Sequence, residues 1–173
     1  MWWRSSVFLP ALLAGLIALG LAGCGFRPLY GGTTAGGARL AEVMAGVEVQ
    51  PIPGRVGQKL RNELIFTNTG GGNAAPTRYR LDVVIKESVT AQLVQITGNA
   101  TGQVYELDAA FKLIDASKGN VILQGKAISR APYDRFQEIF ANVRARYDAE
   151  NRAAETVSDS IRTQIAAYLG NAA

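Results

Sequence analysis

YELDAAFKLIDASKGNVILQGKAIS, residues 105–129, is the stretch of sequence that decides the predicted fold. Its first nine residues carry an apolar side chain at every second position, and three of the four residues between them are charged. Such alternation is typical of a β-strand that buries one face. Residues 115–120 are turn formers, and Gly119 or Asn120 tolerates the positive φ that a tight turn needs. Residues 121–129 alternate again, so the stretch predicts an antiparallel hairpin with one apolar face.

The residues before this hairpin extend the sheet. In residues 78–94, Leu81, Val83 and Ile85 point to one side and polar residues to the other, as in a half-buried strand. Together with the hairpin they predict a three-stranded antiparallel meander. Val47 and Val49 indicate a further short strand. Two prolines, Pro51 and Pro53, follow it and end it.

Two helical patterns supply the cover that this sheet needs. Residues 55–67 have apolar side chains at 3.6-residue spacing, and Gly70-Gly71-Gly72 ends the pattern. A second helix runs from about Phe136, with Asp134 as a candidate N-cap and Gly170 as a candidate stop. Its apolar stripe, which favours a plain core over a ligand groove, consists of Ala154, Val157, Ile161, Ile165 and Leu169. The order β-α-β-β-β-α predicts an α+β fold: a two-layer sandwich in which two helices cover a mostly antiparallel sheet of about four strands.

The first twenty-three residues differ from the rest of the chain. Arg4 is followed by an uncharged run that is too short and too rich in Gly and Ala for a typical membrane-spanning helix. Leu21-Ala22-Gly23-Cys24 closes it, so residues 1–23 are predicted to be a secretory signal peptide cleaved between Gly23 and Cys24. The alternative is an uncleaved N-terminal anchor whose cysteine is incidental.

The sole cysteine fits this interpretation. Cys24 cannot form an intramolecular disulfide, and acylation would remove a free thiol in an oxidising compartment. Two or more acyl chains on Cys24 would hold the protein stably on a membrane. Residues 24–39, rich in glycine, are predicted to be a flexible tether, and residues 40–173 a single domain.

The composition argues against several function classes. The chain has no histidine, which removes the commonest general base and the commonest metal ligand, and no cofactor is predicted. A net charge of +4 without interleaved aromatic and basic residues does not indicate a nucleic-acid-binding surface. The only candidates for a catalytic carboxylate pair are on neighbouring strands, and they are more simply solvated strand residues: Asp82, Glu106 and Asp108. The chain is predicted not to be an enzyme.

The segment Cys24-Gly25-Phe26-Arg27-Pro28-Leu29-Tyr30-Gly31 resembles the start of the lipopolysaccharide-assembly lipoprotein LptE family in its alphaproteobacterial form. More diffuse similarity continues through Leu113-Ile114-Asp115, Tyr133-Asp134 and Ala153-Ala154-Glu155. The resemblance implies a protein that plugs a large outer-membrane β-barrel, LptD, assists its assembly and contacts lipopolysaccharide. Gly25, in place of the aspartate that marks inner-membrane retention in enteric bacteria, favours the outer membrane by the same resemblance.

Two basic residues are candidate contacts for lipopolysaccharide or the partner. Arg27 is placed by the motif, where a role in the tether is an equal alternative, and Lys118 by its position at the predicted hairpin tip, where a solubilising role is the plain alternative. Two other functions remain open at this point. One is a lipoprotein subunit of another envelope lipid-transport or barrel-assembly complex, and the other is an envelope hydrolase that uses carboxylates.

Overall fold

A computed structural model describes residues 37, 39–94 and 100–172 of the chain. Within these residues, three helices and four strands follow one another in the order α-β-α-β-β-β-α. The elements are α1 (Leu40–Ala45), β1 (Val47–Val49), α2 (Gly54–Thr69), β2 (Tyr79–Val94), β3 (Ala100–Asp115), β4 (Val121–Asp134) and α3 (Ile139–Ala172). The predicted α+β class, with a sheet of four strands under helical cover, is confirmed.

The sheet has the strand order β1-β2-β3-β4. β1 pairs in parallel with the start of β2, whereas β2, β3 and β4 form the predicted antiparallel meander. The register of β2 and β3 is unbroken from Tyr79 opposite Asp115 to Gln92 opposite Gly102. The turn between β3 and β4 uses Gly119 at φ +70°, as the sequence predicts.

One face of the sheet forms the core with the helices. The predicted inward residues of β3, from Tyr105 to Leu113, are all buried, and so is the predicted apolar stripe of α3. From Gly125 to Ala131 the inward residues of β4 are small. Because short side chains let a helix approach a strand closely, α3 packs mainly on β4. The buried small residues of β4 and of the first half of α3 are Ala127, Ser129, Ala131, Ala149 and Ala153.

The structure corrects three details of the prediction. The apolar run before β1 begins with a short helix, α1, which buries three side chains at helical spacing: Leu40, Val43 and Met44. Asp134 is not an N-cap; it ends β4, and α3 begins only at Ile139. Asn142 stabilises the link by hydrogen bonds to both backbone groups of Phe136, at 2.6 and 2.7 Å. Gly170 does not stop the last helix, which continues to Ala172.

Two helical glycines are expected to respond to alanine with opposite signs. A Cβ on Gly57 in α2 would lie 2.8 Å from the backbone oxygen of Ile52, whereas a Cβ on Gly170 in α3 would meet no atom within 4 Å. Helix propensity alone favours alanine by about 1 kcal/mol at both sites. Gly170→Ala should therefore raise the free energy of unfolding by up to about 1 kcal/mol, and Gly57→Ala should lower it by about 1–3 kcal/mol. Urea unfolding of the two variants measures both changes in the free energy of unfolding. Changes of the same sign would contradict the close packing at Gly57.

Candidate interaction surface on the open face of the sheet

The sheet face opposite the helices carries side chains from β2, β3 and β4 in ordered rows. Residues directly opposite each other on neighbouring strands share a face. One row holds Asp82, Lys112 and Gln124; the next holds Val84, Ala110 and Lys126; the third holds Lys86, Asp108 and Ile128. These nine residues are here called the open face.

The centre of the open face is apolar and shallow. Val84 is 73% exposed and Ile128 is 59% exposed, although both belong to regular strands. Ala110, between Val84 and Lys126, is too short to fill the space between them. Two adjoining depressions of about 510 and 270 Å³ result, and both are lined by Val84, Ala110 and Lys126. An apolar centre of this kind on a surface favours contact with another molecule.

Positive charge surrounds this centre. The ammonium groups belong to Lys86, Lys112 and Lys126, all of them exposed. Asp82 lies 3.5 Å from Arg80, its neighbour on the same strand. At the next row, Glu106 forms an ion pair with Arg130, and this pairing raises the pKa of the Arg130 guanidinium above its ordinary value. Those two carboxylates have arginine partners, while the third, Asp108, lies opposite Lys86 on the neighbouring strand. No ion pair among the described residues involves Lys112 or Lys126, and the open face carries three lysines against two aspartates.

The candidate catalytic carboxylates do not form a common site. Asp82 lies in the row of Lys112, four residues along β3 from Asp108, which is about 13 Å at strand spacing. Glu106 and Asp108 are two residues apart, about 7 Å, which a glycosidase pair could span. The Glu106 carboxylate, however, already forms an ion pair with Arg130. No group of three or more acidic residues that could hold a metal ion occurs in the described ranges.

Lys118 lies in the exposed turn between β3 and β4, where the sequence places it. The turn is held by Asp115, whose carboxylate accepts hydrogen bonds from the hydroxyl and backbone of Ser117 and from the backbone of Lys118. These bonds, the Ser117 hydroxyl first, hold the pKa of the Asp115 carboxyl below its ordinary value. Lys118 is thus an exposed cation on a rigid turn, beyond the row that holds Lys112.

The N-terminal candidates lie outside the described residues. Gly23, Cys24 and Arg27 belong to this part of the chain, so signal cleavage, acylation and the role of Arg27 stay predictions from the sequence. Within the described residues, no helix is long and apolar enough to cross a membrane.

Sequence reasoning did not single out Ala110, Lys126 or Ile128. The signal for Ile128 is a contrast within β4. There the inward positions are small residues such as Ala127 and Ser129, while Ile128 between them is large, apolar and exposed. Together with the exposed Val84 in the adjoining row, this residue makes the open face a candidate contact surface.

The fold is the same in solved bacterial lipoproteins. A protein of Caulobacter crescentus CB15 described as a lipoprotein superposes with a TM-score of 0.60 at 20% identity, covering 75% of this chain and 95% of that one. Rare lipoprotein B of Shewanella oneidensis gives a TM-score of 0.53 at 13% identity, covering 70% of this chain and 92% of its own. Lipoprotein B of Nitrosomonas europaea gives 0.51 at 14%, covering 70% and 82%.

These similarities establish the fold class. At such low identity they concern the fold alone, and no site residue is transferred from them. No family model matches the sequence, and no curated protein matches it. The chain thus has the α+β fold of small bacterial lipoproteins, and its resemblance to the LptE family rests on the N-terminal motif and on the more diffuse sequence similarity that follows it.

Proposed function

We propose that the protein is an outer-membrane lipoprotein, anchored through acyl chains on Cys24 and facing the periplasm. It assembles with the lipopolysaccharide-translocating β-barrel LptD, plugs its lumen and assists lipopolysaccharide assembly. The observation that carries the proposal is the open face, which combines an apolar centre with three exposed lysines on a domain that has a lipoprotein fold.

The chemistry of the open face fits this role. Lysine ammonium groups pair with phosphates as point charges, and charge-assisted hydrogen bonds are stronger than neutral ones. Lys86, Lys112 and Lys126 therefore suit the phosphates of a glycolipid. Val84 and Ile128 offer apolar contact to acyl chains or to apolar side chains of the barrel. The helices on the other face leave the open face accessible while they supply the core.

Affinity purification from membranes tests the assembly. The wild type and Cys24→Ala, each with a C-terminal tag, are expected to differ in location. The wild type should partition fully with the membrane fraction, whereas Cys24→Ala should not. Mass spectrometry of the wild-type eluate should identify a large outer-membrane β-barrel. If Cys24→Ala still retains the barrel, the domain itself holds the complex. Inner-membrane transport subunits in place of a barrel would exclude the proposal and favour another envelope lipid-transport complex.

Charge neutralisation on the open face tests the contact with lipopolysaccharide. In Lys86→Gln/Lys112→Gln/Lys126→Gln, we expect lipopolysaccharide that co-purifies with the protein to fall about tenfold, because each exposed pair contributes up to about 1 kcal/mol. A matched control, Arg39→Gln/Arg135→Gln/Arg144→Gln, removes the same charge from exposed residues outside the open face. An equal loss in both variants would show that only net charge matters. Extracted phospholipid instead of lipopolysaccharide would contradict the proposed ligand.

A further inference from the structure

One carboxylate of the open face has a buried oxygen without a hydrogen-bond donor. Asp108 lies at the centre of the third row, between Lys86 on β2 and Ile128 on β4. Its Oδ1 atom is buried and accepts no hydrogen bond in the described part of the structure. A buried acceptor without a donor is destabilising, and such groups are rare in folded proteins. The presence of Asp108 on this strand therefore indicates a role other than stabilising the fold.

The lysines around Asp108 do not supply the donor. Lys86 is directly opposite on the neighbouring strand, and Lys126 lies on the diagonal, one row away. None of the ion pairs among the described residues joins Asp108 to either lysine. An aspartate carboxylate stays close to the sheet, whereas a lysine carries its ammonium on a long, flexible stem and keeps it in water. A ligand on the open face would therefore meet the ammonium groups first and the Asp108 acceptor beneath them.

The three lysines mark two positions for negative charge. At strand spacing, the Cα atom of Lys126 is about 8 Å from that of Lys112 and about 12 Å from that of Lys86. Lys112 and Lys126 line the depression of about 510 Å³, whereas Lys86 and Asp108 line the adjoining depression of about 270 Å³. This spacing suits two anionic groups better than one. The Asp108 acceptor lies beside the second position, next to Lys86.

This arrangement fits the phosphorylated saccharide of a glycolipid. A phosphate on a sugar ring has a hydroxyl or an amide N–H close to it. Such a group can donate to a carboxylate while the phosphate pairs with a lysine. A phospholipid with a single phosphate leaves one of the two positions empty. The negative charge of Asp108 also repels an anion that brings no donor, and repulsion of the wrong ligand contributes to specificity.

We propose that Asp108 determines the ligand specificity of the open face, by accepting a hydrogen bond from a hydroxyl or amide N–H of a phosphorylated saccharide. The phosphates of this saccharide contact Lys86 at one position and Lys112 with Lys126 at the other. The carboxylate turns about its last bond at little cost, so a donor that enters the depression can reach it. The inference rests on the proposed function and names the group that distinguishes lipopolysaccharide from phospholipid.

Binding of lipopolysaccharide to the mature lipoprotein in detergent micelles tests the inference with three variants. Asp108→Ala removes the acceptor and should bind lipopolysaccharide at least about tenfold more weakly. Asp108→Asn keeps an acceptor oxygen at the same reach, so its Kd should stay within about threefold of the wild-type value. Asp82→Ala removes the same charge from the same face, where the carboxylate lies 3.5 Å from Arg80. It should bind more tightly than the wild type, because an anionic ligand is repelled less.

These comparisons separate the hydrogen bond from the effect of charge. Charge alone predicts tighter binding of lipopolysaccharide by all three variants; that result would overturn the inference and leave the proposed function standing. Cardiolipin, which has two phosphates but no sugar, is the second probe. If the wild type binds it as tightly as lipopolysaccharide, with the same loss in Asp108→Ala, the saccharide is not what Asp108 selects and the inference is wrong. Failure of the wild type to bind lipopolysaccharide would contradict both the inference and the proposed contact with lipopolysaccharide.

Thermal unfolding shows whether Asp108 has a structural role instead. Asp108→Ala removes a buried acceptor that has no donor, so we expect its Tm to equal or exceed that of the wild type. Weaker binding at an unchanged or higher Tm would support the assignment of Asp108 to the ligand. A Tm that falls by several degrees together with the binding would assign Asp108 to the fold and refute the inference.

Discussion

Gly125→Val is expected to lower the free energy of unfolding by about 3 kcal/mol or more, although valine is a better strand former than glycine. Gly125 faces the core from the middle of β4, directly opposite Phe111 on β3. A Cβ at this position would lie 2.7 Å from the Phe111 ring and 2.7 Å from the side-chain oxygen of Gln164 on α3. Phe111 is buried and cannot move away, so the added atoms must displace α3 or the strand.

Chemical unfolding of Gly125→Val beside Gln124→Val measures this effect. Gln124 is the adjacent residue of β4 and lies on the open face, where a valine meets solvent instead of the core. We expect Gln124→Val to change stability by less than about 0.5 kcal/mol. Similar stabilities for the two variants would show that α3 does not pack on β4 as closely as the structure has it.

The sheet could be predicted from the sequence because its information is local. In residues 105–109, apolar and charged side chains alternate without exception, Ala110 interrupts the pattern and Phe111-Lys112-Leu113 restores it, so one face is decided by this pattern alone. The turn at residues 115–120 adds a second local signal. The packing of α3 on β4 left a weaker signal, because the inward residues in the middle of β4 are Gly125, Ala127, Ser129 and Ala131, which are not recognisably apolar as a set.

The missed details depend on tertiary contacts. Six residues of α1 are too few to form a stable helix alone, and the element exists because Leu40, Val43 and Met44 join the core. Asp134 has the side chain of an N-cap, but strand pairing with Gly102 extends β4 to this residue. Gly170 is a favourable helix end by propensity, and the packing of Leu169 against the core carries the helix beyond it.

The candidate surface was partly predictable in the same sense. The alternation of β2 places Val84 and Lys86 on the polar side, and Lys118 follows from the turn. That Lys112 and Lys126 surround the same apolar centre depends on the register of three strands, which a single sequence does not specify.

A buried carboxylate at the end of the core provides the second large effect. Glu150 on α3 has a side chain only 5% exposed, and it accepts from Arg55 of α2 and from Arg146, the latter at 2.8 Å. Arg55 also lies over the ring of Tyr147, with its guanidinium carbon 4.4 Å from the ring centroid. The arginine side chains are 44% and 53% exposed, so the carboxylate depends on its partners more than they depend on it.

This asymmetry predicts the ranking of three variants. Arg55→Leu/Arg146→Leu leaves the Glu150 charge buried without a partner and should lower the free energy of unfolding by about 3 kcal/mol. Glu150→Leu leaves two arginines that reach water, so this variant should lower the free energy of unfolding by only about 1 kcal/mol. The triple variant, which combines all three changes, should recover most of the stability that the double variant loses, because it no longer buries the Glu150 carboxylate. Urea unfolding at pH 7 measures the ranking. A triple variant no more stable than the double would mean that the arginines act through their packing, on Tyr147 among others, and not through the charge of Glu150.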